Sequence, residues 1–166
     1  MRPTSGRVRV ALFNVLAARL AGARVLDLYA GTGALGLEAL HRGAASAVFV
    51  ERDPRMAEEI RRSLAGAGLK EAAEVWQRDA LSAIGALAAA ARRFDLIMLD
   101  PPYGRGLVDA TLRRLAECDL LTPGGVIAAE GHWRDAPERV AGLVMIREAR
   151  YGETALWLFE REKEAR

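Results

Sequence analysis

The sequence predicts an α/β fold: one domain with a mostly parallel seven-stranded sheet, helices on both faces and a C-terminal antiparallel hairpin. Three observations predict it. Apolar runs of strand length alternate five times with stretches of helical period between residues 24 and 130. A glycine-rich turn joins the first run to a helix. After Gly142 the pattern changes to two strands around a tight turn, Tyr151-Gly152-Glu153.

The elements follow in order. Thr4 or Ser5 is placed to cap a helix on which Val8, Leu12, Val15, Leu16 and Leu20 recur at helical spacing. Arg7, Arg9 and Arg19 lie on its other face and, with Arg2, are expected to form a basic N-terminal surface. Residues 1–22 therefore read as a helical segment ahead of a core spanning 23–166. Residues 24–29, RVLDLY, form a strand, followed by Gly31, Gly33 and Gly36 and a helix to about Arg42. A second strand, 47–50, ends in Glu51, and Pro54 opens a helix that stops near Gly66. The third strand, 73–77, leads to Asp79 and a helix over 80–91. The fourth, from Phe94, stops at Asp100 because Pro101 and Pro102 cannot donate to a ladder. A helix over 107–118, a turn at Thr122-Pro123-Gly124-Gly125, a fifth strand over 126–130 and the hairpin 143–150 with 154–159 complete the chain.

Acids at the carboxyl edge of such a sheet mark where a ligand binds. At the first tip the spacing GxGxxG in a strand-turn-helix setting lets backbone N–H groups approach a ligand, and Glu51, 20 residues after Gly31, is placed for a ribose 2′-OH and 3′-OH. A dinucleotide and S-adenosylmethionine both fit these features. Asp27, four residues before Gly31, favours the second, because a carboxylate repels a pyrophosphate but pairs with the ammonium of the methyl donor; a buried structural carboxyl is the other reading. Asp79 suits the adenine amine, and it also suits an N-cap. Tyr29, Arg52 and Ala80 flank these positions as further cofactor contacts.

The fourth tip, Asp100-Pro101-Pro102-Tyr103, carries the chemistry. The Asp100 carboxylate and the Pro101 carbonyl are two acceptors for the two N–H groups of an aryl amine, which frees its lone pair for an electrophile, and Tyr103 is placed to stack on the base. Gly104 and Gly106 flank Arg105, a phosphate contact in this reading. Trp133 is placed either to stack on RNA or to cover its loop.

Net charge is +2, and Lys70 and Lys163 are the only lysines among 24 basic residues. Such arginine dominance suits phosphate and base contacts and is equally a compositional trait. No apolar run reaches membrane-spanning length, the single Cys118 fits a reducing cytoplasm, and His41 and His132 lack metal-ligand spacing, so neither membrane nor metal is expected.

Five βα units and a terminal hairpin are the Rossmann-like architecture of class I methyltransferases. Over nearly its whole length the sequence resembles the RsmD-type 16S ribosomal RNA (guanine-N2)-methyltransferases, in RPTSGRVRVALFNVL, VLDLYAGTGALGLEALHRGA, FVERDP, RDAL, FDLIMLDPPY and RYGET. Members carry a further short β-containing segment ahead of the RPT stretch, next to which this chain begins. The resemblance implies S-adenosylmethionine held by Asp27, Gly31, Gly33, Glu51 and Asp79, and guanine held by the stretch from Asp100 to Tyr103. It also implies small-subunit ribosomal RNA, free or in an assembling 30S particle, facing Arg2 and Arg7. The Asp-Pro-Pro-Tyr tetrad also occurs in DNA amine methyltransferases, and a non-catalytic nucleotide- and RNA-binding module is the competing class.

Overall fold

Runs such as RVLDL and FDLIML are apolar on both faces because they lie inside the sheet. In the computed structural model, which describes residues 6–104 and 106–163, the order along the chain is α1 (Gly6–Leu16), β1 (Arg24–Leu28), α2 (Ala34–His41), β2 (Ser46–Val50), α3 (Pro54–Gly66), β3 (Ala73–Trp76), α4 (Ala80–Ala89), β4 (Phe94–Leu99), α5 (Leu107–Glu117), β5 (Leu121–His132), β6 (Leu143–Tyr151) and β7 (Thr154–Arg161). The sheet order is β3-β2-β1-β4-β5-β7-β6, parallel except for β7, which runs antiparallel to β5 and β6. Arg2, Thr4, Ser5 and Arg105 lie outside the described residues.

The sheet divides the core in two. Leu26, Leu28, Ile97 and Leu99 face α4 and α5 through Ala83, Ile84, Leu87, Leu112 and Leu115. Val25, Phe49, Leu96 and Met98 face α1, α2 and α3 through Leu12, Phe13, Leu16, Ala39, Ile60 and Leu64. Strand alternation sends successive residues to opposite faces, so both helical layers find apolar partners. Among the described residues no helix is long and apolar enough to cross a membrane.

Four details differ from the sequence expectation. The fifth strand starts at Leu121, not Val126: pairing jumps from Phe94↔Leu121 to Leu96↔Val126, so the expected turn is an insertion within one long strand. That strand also runs on to His132, because β7 pairs with it through His132↔Thr154. The hairpin turn is only Gly152-Glu153, with Tyr151 ending β6. Finally, Arg19 does not share a surface with Arg7. Arg7, in helix α1, lies beside Tyr151 at the carboxyl edge, whereas Arg19, in the short helical turn Ala17–Arg19 that follows, is bonded to the Gly124 carbonyl and Glu160 at the other edge.

Gly36 is where the close packing of α2 on the sheet shows best. A Cβ there would sit 2.3 Å from Cε1 and 2.7 Å from Cζ of Phe49, whose ring is fully buried. We expect Gly36→Ala to lower unfolding free energy by roughly 1–3 kcal/mol, read as a lower Tm, because neither helix nor ring has room to yield. An unchanged Tm would show that the helix shifts freely.

Candidate active site

The order β3-β2-β1-β4 places β1 and β4 side by side at the point where the chain reverses its direction across the sheet, and a crevice opens there beyond the strand ends. Register pairs Leu28 with both Val50 and Leu99, so Tyr29, Glu51 and Asp100 follow as neighbouring tips.

Asp27 is 1% exposed and accepts a hydrogen bond from Gly36 N–H at 3.0 Å. Burial raises its pKa well above the ordinary carboxylate value; the Gly36 bond opposes this, and the charges of Asp100 and Glu51 add to the rise. Glu51, 7% exposed, accepts Gly31 N–H on Oε1 at 2.9 Å and Asp53 N–H on Oε2 at 2.8 Å. A carboxylate offers about four lone-pair sites, so the remaining pair can take two hydroxyls. Asp79 is exposed and caps α4 by accepting Ser82 N–H at 3.1 Å, so the N-cap role is present.

Tyr29 has φ +59°, a left-handed backbone costing about 1–3 kcal/mol outside glycine and concentrated at functional sites. Its hydroxyl meets Thr111 Oγ1 at 2.7 Å, and Thr111 in turn donates to the Leu107 carbonyl, which ties the β1 tip to α5. Burial raises the Tyr29 pKa, against the Thr111 bond and with the Asp79 charge.

The amides of the glycine loop have partners within the chain. Gly31 N–H is taken by Glu51, Gly33 N–H by the Ala30 carbonyl and Gly36 N–H by Asp27. These amides are turned into the protein rather than toward a ligand, so the cradle of N–H groups that a pyrophosphate needs is absent from them. The glycines instead serve the backbone: Gly31 and Gly33 have φ +58° and +82°, and Gly36 admits Phe49.

Two cavities flank the Asp-Pro-Pro-Tyr tip. One, of about 630 Å³, is lined by Tyr29, Glu51, Arg52, Asp79, Ala80 and neighbours including Met56 and Arg78. The other, of about 230 Å³, is lined by Pro101, Tyr103, Val108, Asp109, Gly131 and His132 among others. They share Pro102 and Leu107 as a common wall. Asp27, Gly31 and Gly33 are buried and line neither. Asp100 is half-buried at the end of β4. Tyr103 is held by its hydroxyl, 3.2 Å from Thr154 Oγ1, and lies edge-on to the His132 ring.

Sequence reasoning missed Thr111, Met56, Arg78 and Asp109. A signal existed for Met56 alone, which sits in the first turn of the helix that follows the Glu51 tip. Among the described residues no three His, Cys, Asp or Glu side chains are grouped to hold a metal ion.

A seven-stranded sheet with a terminal antiparallel pair and acids at the β1, β2 and β4 tips defines a class I methyltransferase fold. A solved RNA methyltransferase from Salinibacter ruber, in complex with S-adenosyl-L-homocysteine, shares this fold with TM-score 0.73 at 20% identity, covering 99% of this chain and 97% of that one. Nearer in sequence is the solved structure of yhhF from Escherichia coli, with TM-score 0.86 at 33% identity over 98% of this chain and 89% of that one. The family model described as "Conserved hypothetical protein 95" matches residues 1–160. Ribosomal RNA small subunit methyltransferase D of E. coli is 35% identical over 163 residues, 98% of this chain and 80% of the relative. Its Haemophilus influenzae namesake is 31% identical over 158 residues, 89% and 81% of the two. The chain belongs to the family of these ribosomal RNA small subunit methyltransferase D proteins.

Proposed function

We propose that the protein transfers the methyl group of S-adenosylmethionine to the exocyclic N2 amine of a guanine in small-subunit ribosomal RNA, acting in the cytoplasm on the free RNA or on an assembling 30S particle. The observation that carries the reading is the pair of cavities sharing the Pro102–Leu107 wall, one sized and lined for the donor and the other for the acceptor base. The relatives' names support ribosomal RNA as the substrate.

The lining fits this donor better than a dinucleotide. Glu51 keeps acceptor capacity for two ribose hydroxyls, Asp79 is exposed to the cavity for an adenine amine, and Tyr29, Arg52 and Ala80 complete its wall. The charges of Asp100 and Glu51 add to the cost of ionising buried Asp27, a cost that a cationic ligand relieves. When bound, the donor supplies a methyl group on a sulfonium, an electrophile that needs no metal.

The protein's work is then positioning. Asp100 and the Pro101 carbonyl accept the two amine N–H groups, draw the nitrogen out of conjugation and hold it at the shared wall. Tyr103, tethered to Thr154, supports the base. Asp100 need not act as a strong base, because the proton can leave once the new N–C bond is forming. Arg2, Arg7 and Arg105 face the RNA.

Calorimetric titration with S-adenosylmethionine, paired with a labelled-methyl assay on unmethylated small subunits and on naked RNA, tests the reading. Binding and transfer are expected, with N2-methylguanosine as the product on nucleoside mass mapping. Donor binding without transfer would instead identify a non-catalytic module, and NADH binding in its place would identify a dinucleotide enzyme.

A further inference from the structure

The antiparallel run of β7 brings the β6–β7 turn back to the carboxyl edge, beside the active-site tip. His132 pairs with Thr154, the Tyr103 hydroxyl meets Thr154, and Trp133 N–H donates to the Glu153 carbonyl at 2.9 Å. The short helical turn Trp133–Asp135 is thereby docked on the hairpin. Its indole ring carries two guanidinium groups: Arg150 Cζ lies 3.9 Å from the ring centroid and Arg134 Cζ 5.1 Å from it. Arg150 is further fixed by Nε donating to the Gly152 carbonyl at 2.8 Å.

Nine arginines elsewhere form ion pairs with Asp or Glu among the described residues, including Arg24 with Asp95 and Arg92 with Glu74. Arg134 and Arg150 are exposed and lie over the Trp133 ring. A guanidinium held over a ring keeps edge N–H donors for phosphate oxygens, and Arg150, whose Nε–H goes to the Gly152 carbonyl, keeps those of its two Nη groups. Holding the side chain in place beforehand reduces the entropy lost when the phosphate arrives.

We propose that Arg134 and Arg150, braced on Trp133, grip backbone phosphates of the RNA strand on either side of the methylated base. The proposal rests on the ribosomal RNA reading above and extends the RNA face from Arg7, whose guanidinium lies 5.8 Å from the Tyr151 ring, across the hairpin to the lip of the smaller cavity.

The test is binding of an unmodified small-subunit RNA transcript, followed by fluorescence anisotropy over a salt series. Each lost phosphate contact lowers the slope of log affinity against log salt by about 0.7–0.9. The double variant Arg134→Gln/Arg150→Gln is therefore expected to lose about 1.5 from that slope and to bind roughly 10- to 100-fold more weakly at low salt. Its KM for RNA rises while kcat and S-adenosylmethionine affinity stay near wild type. Arg134→Lys/Arg150→Lys keeps both charges without the stacked fork, so it should retain the slope and bind several-fold more weakly. A wild-type slope in the glutamine pair, with wild-type protein that binds and methylates the transcript, overturns the phosphate grip alone. Wild-type affinity in the lysine pair overturns the stacked geometry. Wild-type protein that binds S-adenosylmethionine but neither binds nor methylates the transcript or unmethylated small subunits overturns the ribosomal RNA reading itself, and this proposal with it.

Discussion

Asp100→Ala is expected to retain S-adenosylmethionine binding within a few-fold of wild type and to lower turnover by roughly 100- to 1000-fold, the usual cost of removing a polar group that acts on the reacting centre. The basis is placement. Asp100 follows Leu99, which pairs with Leu28 on one side and Ala129 on the other, so its carboxylate sits at the middle of the carboxyl edge. Two prolines follow it and end the ladder there. Its charge raises the pKa of Asp27, so its removal eases Asp27 ionisation and should not impair donor binding. Asp100→Asn keeps a carbonyl acceptor for one amine N–H and should recover part of the turnover, short of wild type because a neutral amide accepts more weakly than a carboxylate. Single-turnover methyl transfer with donor and RNA both saturating gives the decisive rate. Undiminished turnover in Asp100→Ala would remove this residue from the mechanism.

Asp27→Asn should weaken S-adenosylmethionine binding by roughly tenfold, because it removes a buried negative charge close to Glu51 of the donor cavity even though Asp27 itself lines neither cavity. It should also abolish the pH dependence of binding expected of the wild type. In the folded, unliganded protein burial holds the Asp27 pKa above its unfolded value. Protonated Asp27 is therefore tolerated at low pH, and stability falls as pH rises through the raised folded value, because the unfolded chain ionises there first. A cationic ligand favours the ionised form, so binding expels a proton and tightens with rising pH until Asp27 is ionised. Calorimetry in two buffers of different ionisation enthalpy measures that release, expected to approach one proton at a pH between the ordinary carboxylate range and the raised value. The asparagine variant keeps an acceptor for Gly36 N–H and should release none. Equal proton release in both proteins would place the coupling elsewhere.

Much of this arrangement is legible along the chain. Strand ends announce themselves through Asp79, through Pro101-Pro102 and through the glycines after Tyr29, because each is a local conformational constraint. The partners of the glycine amides are not legible. Gly31 and Glu51 are 20 residues apart, and only the parallel pairing of β1 with β2 brings that carboxylate to that N–H. The same limit hid Thr111 under Tyr29 and turned an expected loop at Thr122-Pro123-Gly124-Gly125 into an insertion within a strand.

The sequence by itself determined the order of elements, the two apolar layers and the acids at the strand tips, because these depend on side-chain period and on backbone restrictions within a few residues. Tertiary structure alone decided that the glycine amides turn inward and that Arg7 and Arg19 occupy opposite edges. It alone also decided that Arg150 meets Trp133 near the Asp-Pro-Pro-Tyr tip. Those outcomes depend on strand order and direction, through which residues distant along the chain share one hydrogen bond or one ring.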